Sequence, residues 1–263
     1  MSALFDMTGK VALVSGAASG MGRAMSLAFA EHGADLMLAD INTTGVKATA
    51  DEIEQTGRRA IPVTCDVSEP DQIRGMFVQL DREFGRIDVL GNVAGEGIFG
   101  KPEEIPIETV QRVIQNLVIG RFSMCQEAGR RMLRAGRGSI INIGSLASIT
   151  ALGRGHVAYS MAMGAVAQMT RELSTEWSGR GVRVNAILPA QVANPSLQRR
   201  MTADPSLKVK WLSGIPRGRL GVPDDIRGLA VFLASDASSW ITGSLIPMDG
   251  GNLAMNAGGT IGA

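Results

Sequence analysis

The stretch KVALVSGAASGMGRAMSLAFAEHGADLMLAD (10–40) decides the fold of this chain. It opens with an apolar β-branched run, KVALVS (10–15), and breaks at a glycine-rich turn, SGAASGMG (15–22). It continues at helical spacing through GRAMSLAFAEHG (22–33) and closes on a second apolar run, DLMLAD (35–40). Strand, turn, helix, strand is a βαβ unit, whose right-handed crossover makes its strands parallel. Gly33 suits the position just past a helix end. Gly16, Gly20 and Gly22 let the backbone turn sharply and approach a pyrophosphate, whose charge would then lie over the helix amino terminus. The spacing is G-x-x-x-G-x-G rather than G-x-G-x-x-G, so the turn alone also fits a plain tight strand-helix connection. Asp40, at the end of the second run, weighs toward a dinucleotide. An acidic group there accepts hydrogen bonds from an adenosine ribose and repels a 2′-phosphate, which favours NAD over NADP. No Arg or Lys lies in the turn.

Five more apolar runs follow: IPVTCD (61–66), IDVLGN (87–92), SIINIG (139–144), VRVNAIL (182–188) and SLIPMD (244–249). Helical patterns lie between them, such as PDQIRGMFVQLDREFG (70–85), with Pro early and Gly at the stop. The alternation predicts an α/β fold: one Rossmann-type, doubly wound, parallel seven-stranded sheet with helices on both faces. A chain of 263 residues, 45% of them hydrophobic, can bury one such core, so a single domain over 1–263 is expected. Only 189–223 breaks the rhythm. It is rich in Pro, Arg and Ser, with one short helix expected around 206–212, and it reads as a substrate lid at about 190–215.

Charges nearly cancel, 26 Lys and Arg against 25 Asp and Glu, so nothing asks for nucleic acid or an anionic membrane. RRMLRAGR (130–137) reads as a solvated helix end. The start, MSALFDMTGK, has no basic segment leading into an apolar run, and no stretch approaches the ~18 apolar residues of a membrane span. A cytoplasmic protein is expected. Cys65 and Cys125 stand far apart and read as buried thiols, and His32 and His156 are too few for a histidine-rich metal site.

With these features in place, the remaining motifs make the chain resemble the short-chain dehydrogenases/reductases over nearly its whole length. The glycine turn matches with Ser15 in place of the usual Thr, and CDV (65–67) matches the segment whose Asp, here Asp66, contacts adenine. NVAG (92–95) resembles N-N-A-G, with Val93 departing. PAQVAN (189–194) resembles P-G-x-x-x-T, with Ala190 and Asn194 departing. The resemblance implies that Gly16, Ser19, Gly20, Met21, Gly22, Asp40, Ile41, Asp66, Val67, Asn92, Ala94, Gly95, Tyr159, Pro189, Val192 and Asn194 hold NAD. It further implies a catalytic group of Asn116, Ser145, Tyr159 and a Lys four residues after the Tyr. MDGG (248–251) matches the last strand and turn, and the tail after it would lie against a neighbour in a homotetramer.

The fourth catalytic position departs: in YSMAMGAV (159–166) it holds Met163. Moving hydride between a secondary alcohol and nicotinamide also moves the hydroxyl proton. A tyrosine of ordinary pKa about 10 is a poor base at neutral pH. Residues i and i+4 share a helix face, so a Lys at 163 would set a cation beside Tyr159. Unit charges ~4 Å apart attract by ~4 kcal/mol at an effective dielectric of ~20. Three explanations stand: a Lys-to-Met replacement in an otherwise ordinary enzyme, a natural member in which His156 or a water assists, or a non-catalytic dinucleotide-binding sensor or scaffold. Position 163 alone predicts turnover at least ~10²-fold below that of Met163→Lys. Glu96, Ser145, Arg154, His156 and Gln191 are the candidate substrate contacts. They suit a polar small molecule such as a sugar, polyol or sugar acid, and Arg199 and Arg200 on the lid could meet a carboxylate.

Overall fold

The structure, a computed structural model, describes residues 3–255. The first half contains β1 (Val11–Ser15), α1 (Gly20–Glu31), β2 (Asp35–Asp40), α2 (Thr43–Glu54), β3 (Ala60–Thr64), α3 (Pro70–Phe84), β4 (Val89–Asn92) and α4 (Ile107–Ile114). The second contains α5 (Arg121–Ala135), β5 (Gly138–Ile143), α6 (Val157–Trp177), β6 (Val182–Pro189), α7 (Pro195–Ala203), α8 (Ser206–Leu212), α9 (Arg227–Ala234) and β7 (Leu245–Met248). The seven strands are the seven apolar runs, with bounds within two residues of those expected. They form one sheet in the order β3-β2-β1-β4-β5-β6-β7, every neighbouring pair parallel. The order reverses between β1 and β4, which opens a crevice at the strands' carboxyl ends.

β1 and β4 are buried along their whole length, without alternation, because helices cover both faces. One face packs α1, α2 and α9 through Met25, Phe29, Val46, Ile53 and Val231. The other packs α3, α5 and α6 through Ile73, Phe77, Met124, Met132 and Leu173. A smaller apolar cluster joins α4 to α6 through Val113, Leu117, Ala162, Met163 and Val166.

A Cβ on Gly22 would lie 2.1 Å from the Gly16 carbonyl oxygen, so α1 can rise from the turn only with no side chain there. Between α4 and α5 the backbone widens into a π-helical turn, Gln115–Gly120, that carries Asn116. Gly120 lets this turn press on the loop after β3, since a Cβ there would lie 2.0 Å from the Val67 carbonyl oxygen.

The region 189–223 holds two helices, α7 and α8, where one was expected. Asn194 Oδ1 accepts the Leu197 N–H at 2.8 Å and Pro195 opens the helix, a start signal hidden among residues that read as loop formers. The 130–137 segment is also more than solvated charge. Arg131 pairs with Asp81 and Glu127 and stacks on Phe77, while Arg134 and Arg137 face solvent. Both cysteines are free and buried. Among the described residues no helix is long and apolar enough to cross a membrane, and no cluster of metal-binding side chains occurs. The subunit contact expected of the tail falls mostly outside the described residues.

Two glycines test this packing in opposite directions. Gly120→Ala should lower unfolding free energy by about 1–3 kcal/mol through overpacking. Gly164→Ala in α6, where a Cβ meets nothing within 4 Å, should raise it by about 0.5–1 kcal/mol. Urea unfolding of both variants reads the signs.

Candidate active site

The carboxyl edge of the sheet gathers the predicted residues. Ser15 ends β1, and its Oγ accepts the N–H groups of Val93 at 3.0 Å and Ala94 at 3.1 Å, tying the glycine turn to the loop after β4. Ser19 caps α1 without a side-chain bond to it, so the first N–H groups of α1 stay open to an anion. The Asp40 carboxylate accepts the Ala18 N–H at 3.0 Å and the Asn42 N–H at 2.9 Å. It braces the turn and keeps lone pairs for further donors. Ile41 beside it is 71% exposed, an apolar shelf at the sheet edge. Asp66 Oδ1 accepts the N–H and Oγ–H of Ser68. Open helix N–H groups, a close glycine turn and an acidic strand end together fit a dinucleotide.

Beyond β4 lies a cavity of about 520 Å³, bordered by Ser19, Met21, Gly95, Pro189, Val192 and Asn194 toward the glycine turn and by Ser145 and Tyr159 at its centre. Its size suits a small ligand. Ser145 is buried, and its Oγ accepts the Ala147 N–H at 3.2 Å. Tyr159 lies in the first turn of α6 over Gly97, where a Cβ would come 2.5 Å from the ring. Phe99 and His156 each stand edge-on to Tyr159 at 6.2 Å. His156 Nδ1 lies 2.7 and 3.0 Å from the carbonyls of Gly153 and Arg154, so Nδ1 carries the proton. Burial pulls its pKa below 6.5, leaving the ring neutral at pH 7. Asn116 Oδ1 accepts the Glu96 N–H at 3.3 Å, anchoring the cavity's 95–100 rim to the π-helical turn.

Three buried polar side-chain atoms lack a partner among the described residues: Gln191 Oε1 and Trp211 Nε1, which belong to residues that border the cavity, and Arg58 Nε, which does not. Arg200 stacks on Phe99 at 5.1 Å and on Trp211 at 5.5 Å. Arg154 is the only non-glycine residue with a left-handed backbone among those described, φ 57°, a strained conformation on the cavity rim. Burial and the Arg200 charge lower its pKa, with no carboxylate opposing.

Three predicted side chains are buried away from the cavity, and Asn116, predicted to be catalytic, also lies outside its lining. The Asn92 amide turns under the sheet, donating to the Arg121 carbonyl at 3.0 Å and to Asn142 Oδ1 at 3.2 Å, because β4 is interior and its side chain has only the core to meet. Val67 is buried beneath the π-helical turn. Met163 is 1% exposed inside the α4–α6 apolar cluster. Asn194 borders the cavity, but its amide caps α7 and donates to the Val192 carbonyl.

Trp211 lies in the 190–215 segment expected to form a lid, and Phe99 three residues after Glu96; neither is singled out by the sequence. Arg121 was not anticipated at all, although a lone cation in QNLVIGRFSMC (115–125) is the signal. Arg121 is 3% exposed, and its guanidinium donates to the carbonyls of Val93 (3.3 Å), Ala94 (3.2 Å) and Ile143. Burial pulls its pKa down to about 10, while the Tyr159 phenol and Cys125 thiol favour the charged form.

Comparison with known proteins agrees with this geometry. The family model described as Enoyl-(Acyl carrier protein) reductase matches residues 16–252. D-threitol dehydrogenase of Mycolicibacterium smegmatis is 39% identical, with 94% of each chain aligned. NAD-dependent glycerol dehydrogenase of Listeria innocua is 36% identical, over 94% of this chain and 95% of its own. A short-chain type dehydrogenase/reductase from Mycobacterium marinum, known from a crystal structure, superposes with a TM-score of 0.87 at 36% identity, covering 96% of this chain and 99% of its own.

An unpartnered buried acceptor costs stability in the free protein and contributes only when a ligand donates to it. Gln191→Met should therefore leave the melting temperature unchanged or about 1–3 °C higher, and reduce the further rise on adding dinucleotide. Thermal unfolding with and without dinucleotide measures both.

Proposed function

This chain belongs to the short-chain dehydrogenase/reductase family, and we propose that it is an NAD-dependent oxidoreductase acting on a secondary alcohol, or the matching ketone, of a small hydroxylated substrate. The observation that carries this is the convergence of Ser145 and Tyr159 on one cavity that opens beside the glycine turn and Asp40. A nicotinamide dinucleotide, when bound, supplies the acceptor or donor of the hydride.

The chain's own residues do the rest. Open N–H groups at the start of α1 would hold the pyrophosphate, Asp40 would accept from the adenosine ribose, and Ile41 and Asp66 would contact the adenine. Gln191 Oε1 is an acceptor for a ligand donor, and the Trp211 Nε1–H a donor for a ligand oxygen. Ser145 orients the substrate oxygen, and Tyr159 Oη takes the hydroxyl proton in oxidation and returns it in reduction. Phe99, His156 and Trp211 exclude water from that exchange. Arg154 and Arg200 add positive charge to the outer wall. With two polyol dehydrogenases among the relatives, this supports a polyol, sugar or sugar acid as substrate. The exposed Ile119 and Phe122 beside the π-helical turn, and Met161 on α6, are apolar surface suited to a homotetramer, which we place in the cytoplasm.

Met163 favours a second reading, a protein that binds the dinucleotide and leaves it unchanged. Without any cation beside Tyr159, proton transfer slows by roughly 10²-fold.

Mixing the chain with NAD and a panel of polyols, sugars and sugar acids should raise NADH absorbance with at least one of them. Tyr159→Phe should lose at least ~10²-fold of that rate while keeping cofactor-dependent thermal stabilisation. Stabilisation without absorbance change across the panel would favour the binding protein. Asp40→Ser should weaken NAD binding about tenfold or more and narrow the preference over NADP, measured as Kd for each.

A further inference from the structure

Arg200, on α7, is a cation held in place with nothing to neutralise it. Its guanidinium carbon stands 5.1 Å from the centre of the Phe99 ring and 5.5 Å from the Trp211 ring. Stacking engages the faces of a guanidinium and leaves the N–H groups in its plane free to donate. Among the described residues the side chain makes no hydrogen bond and pairs with no carboxylate. The cavity that it borders carries Arg121, Arg154, Arg199 and Arg200 on its lining against a single acid, Glu96. Arg121 is committed to backbone carbonyls. Arg154 and Arg200 weigh on each other, since burial and then the Arg200 charge lower the Arg154 pKa.

Ring contacts fix where this charge stands relative to the chemistry. Phe99, under the guanidinium, is also 6.2 Å from the Tyr159 ring and 4.4 Å from the His156 ring. One aromatic ring therefore touches both Arg200 and Tyr159.

We propose that the substrate is a polyhydroxy acid whose terminal carboxylate pairs with Arg200 while its reacting hydroxyl lies at Tyr159. The proposal rests on the oxidoreductase reading above and narrows its polyols, sugars and sugar acids to the acids. A planar carboxylate meets the guanidinium fork with two parallel N–H···O bonds. Trp211 is buried beside the same guanidinium, and its indole N–H, which lacks an acceptor, is a further donor for the carboxylate. A neutral polyol leaves both unpaired. Arg199, next in the chain, is exposed and stacks on neither ring. Arg200 is set in advance by its two rings, so a ligand that meets it freezes little further side-chain freedom.

The test takes a panel of aldonates, each with the alditol and the alditol phosphate of the same carbon skeleton, and reads kcat/KM with NAD. The parent chain should favour the acid over the alditol by about 10-fold or more, the scale of a charge-assisted hydrogen bond. In Arg200→Gln that ratio should collapse to within about 3-fold, mainly through a higher KM for the acid. Arg200→Lys keeps the charge without the fork and should fall between the two. An Arg200 that only clasps α7 and α8 to the 95–100 rim would lower both rates alike and leave the ratio in place, which overturns the proposal. A parent chain that prefers alditols or phosphates overturns it too, and so does a loss of NAD affinity in Arg200→Gln as large as the loss for the acid. If no compound yields NADH, the oxidoreductase reading fails, and calorimetric titration of the same acids, with and without NAD, decides this one. At least one acid should then bind the parent about 10-fold or more tighter than Arg200→Gln, and equal or absent binding rejects it.

Discussion

A chain of buried amide hydrogen bonds sets the geometry on which the candidate site depends. Asn92 on β4 donates to Asn142 on β5, and Asn142 donates at 3.0 Å to Thr170 on α6. The same Asn92 amide holds the first carbonyl of α5. These groups are almost wholly buried, so each unmade bond would cost the desolvation of an amide or hydroxyl, and the chain permits one register between the two strands and two helices. The helix bearing Tyr159 and the helix beginning at Arg121 are thereby fixed against the same strand ends. Asn92 shapes the site without reaching the cavity.

The second determinant is where the sheet leaves charge uncompensated. The last residue of β5, Ile143, and the two residues that follow β4, Val93 and Ala94, turn their carbonyl oxygens toward Arg121. The guanidinium satisfies these carbonyls but is not neutralised by them, which makes the cavity floor positive. Arg154 and Arg200 repeat the sign on the outer wall. A site with cations below and outside and a single exposed acid, Glu96, is built for ligands that carry or develop negative charge.

The region 189–223 follows the same logic of incomplete satisfaction. α7 and α8 are well formed, with Asn194 capping the first and Arg200 locked between two aromatic rings. Yet Trp211 Nε1 and Gln191 Oε1 remain without partners inside this packed structure. In a folded interior such atoms are rare, and the residues that carry these two border one cavity.

Sequence alone determined the architecture, because hydrophobic period and glycine position are local quantities. Seven apolar runs correspond to seven strands, and Gly16, Gly20, Gly22 and Asp40 mark the crevice at their carboxyl ends. It also singles out Ser145 and Tyr159, whose motifs are short and contiguous and which line one cavity. What it missed depends on contacts between residues far apart in the chain. α7 was hidden because Pro195 and its neighbours have loop-like propensities, and only the Asn194 cap and the packing behind it make a helix. Asn92 looked like a cofactor contact until its place on an interior strand turned it toward Asn142. Met163 looked like a missing part, since the sequence shows only the i+4 neighbour on the same helix. The tertiary structure decided what surrounds position 163, because α4 packs against α6 and encloses Met163 in an apolar cluster.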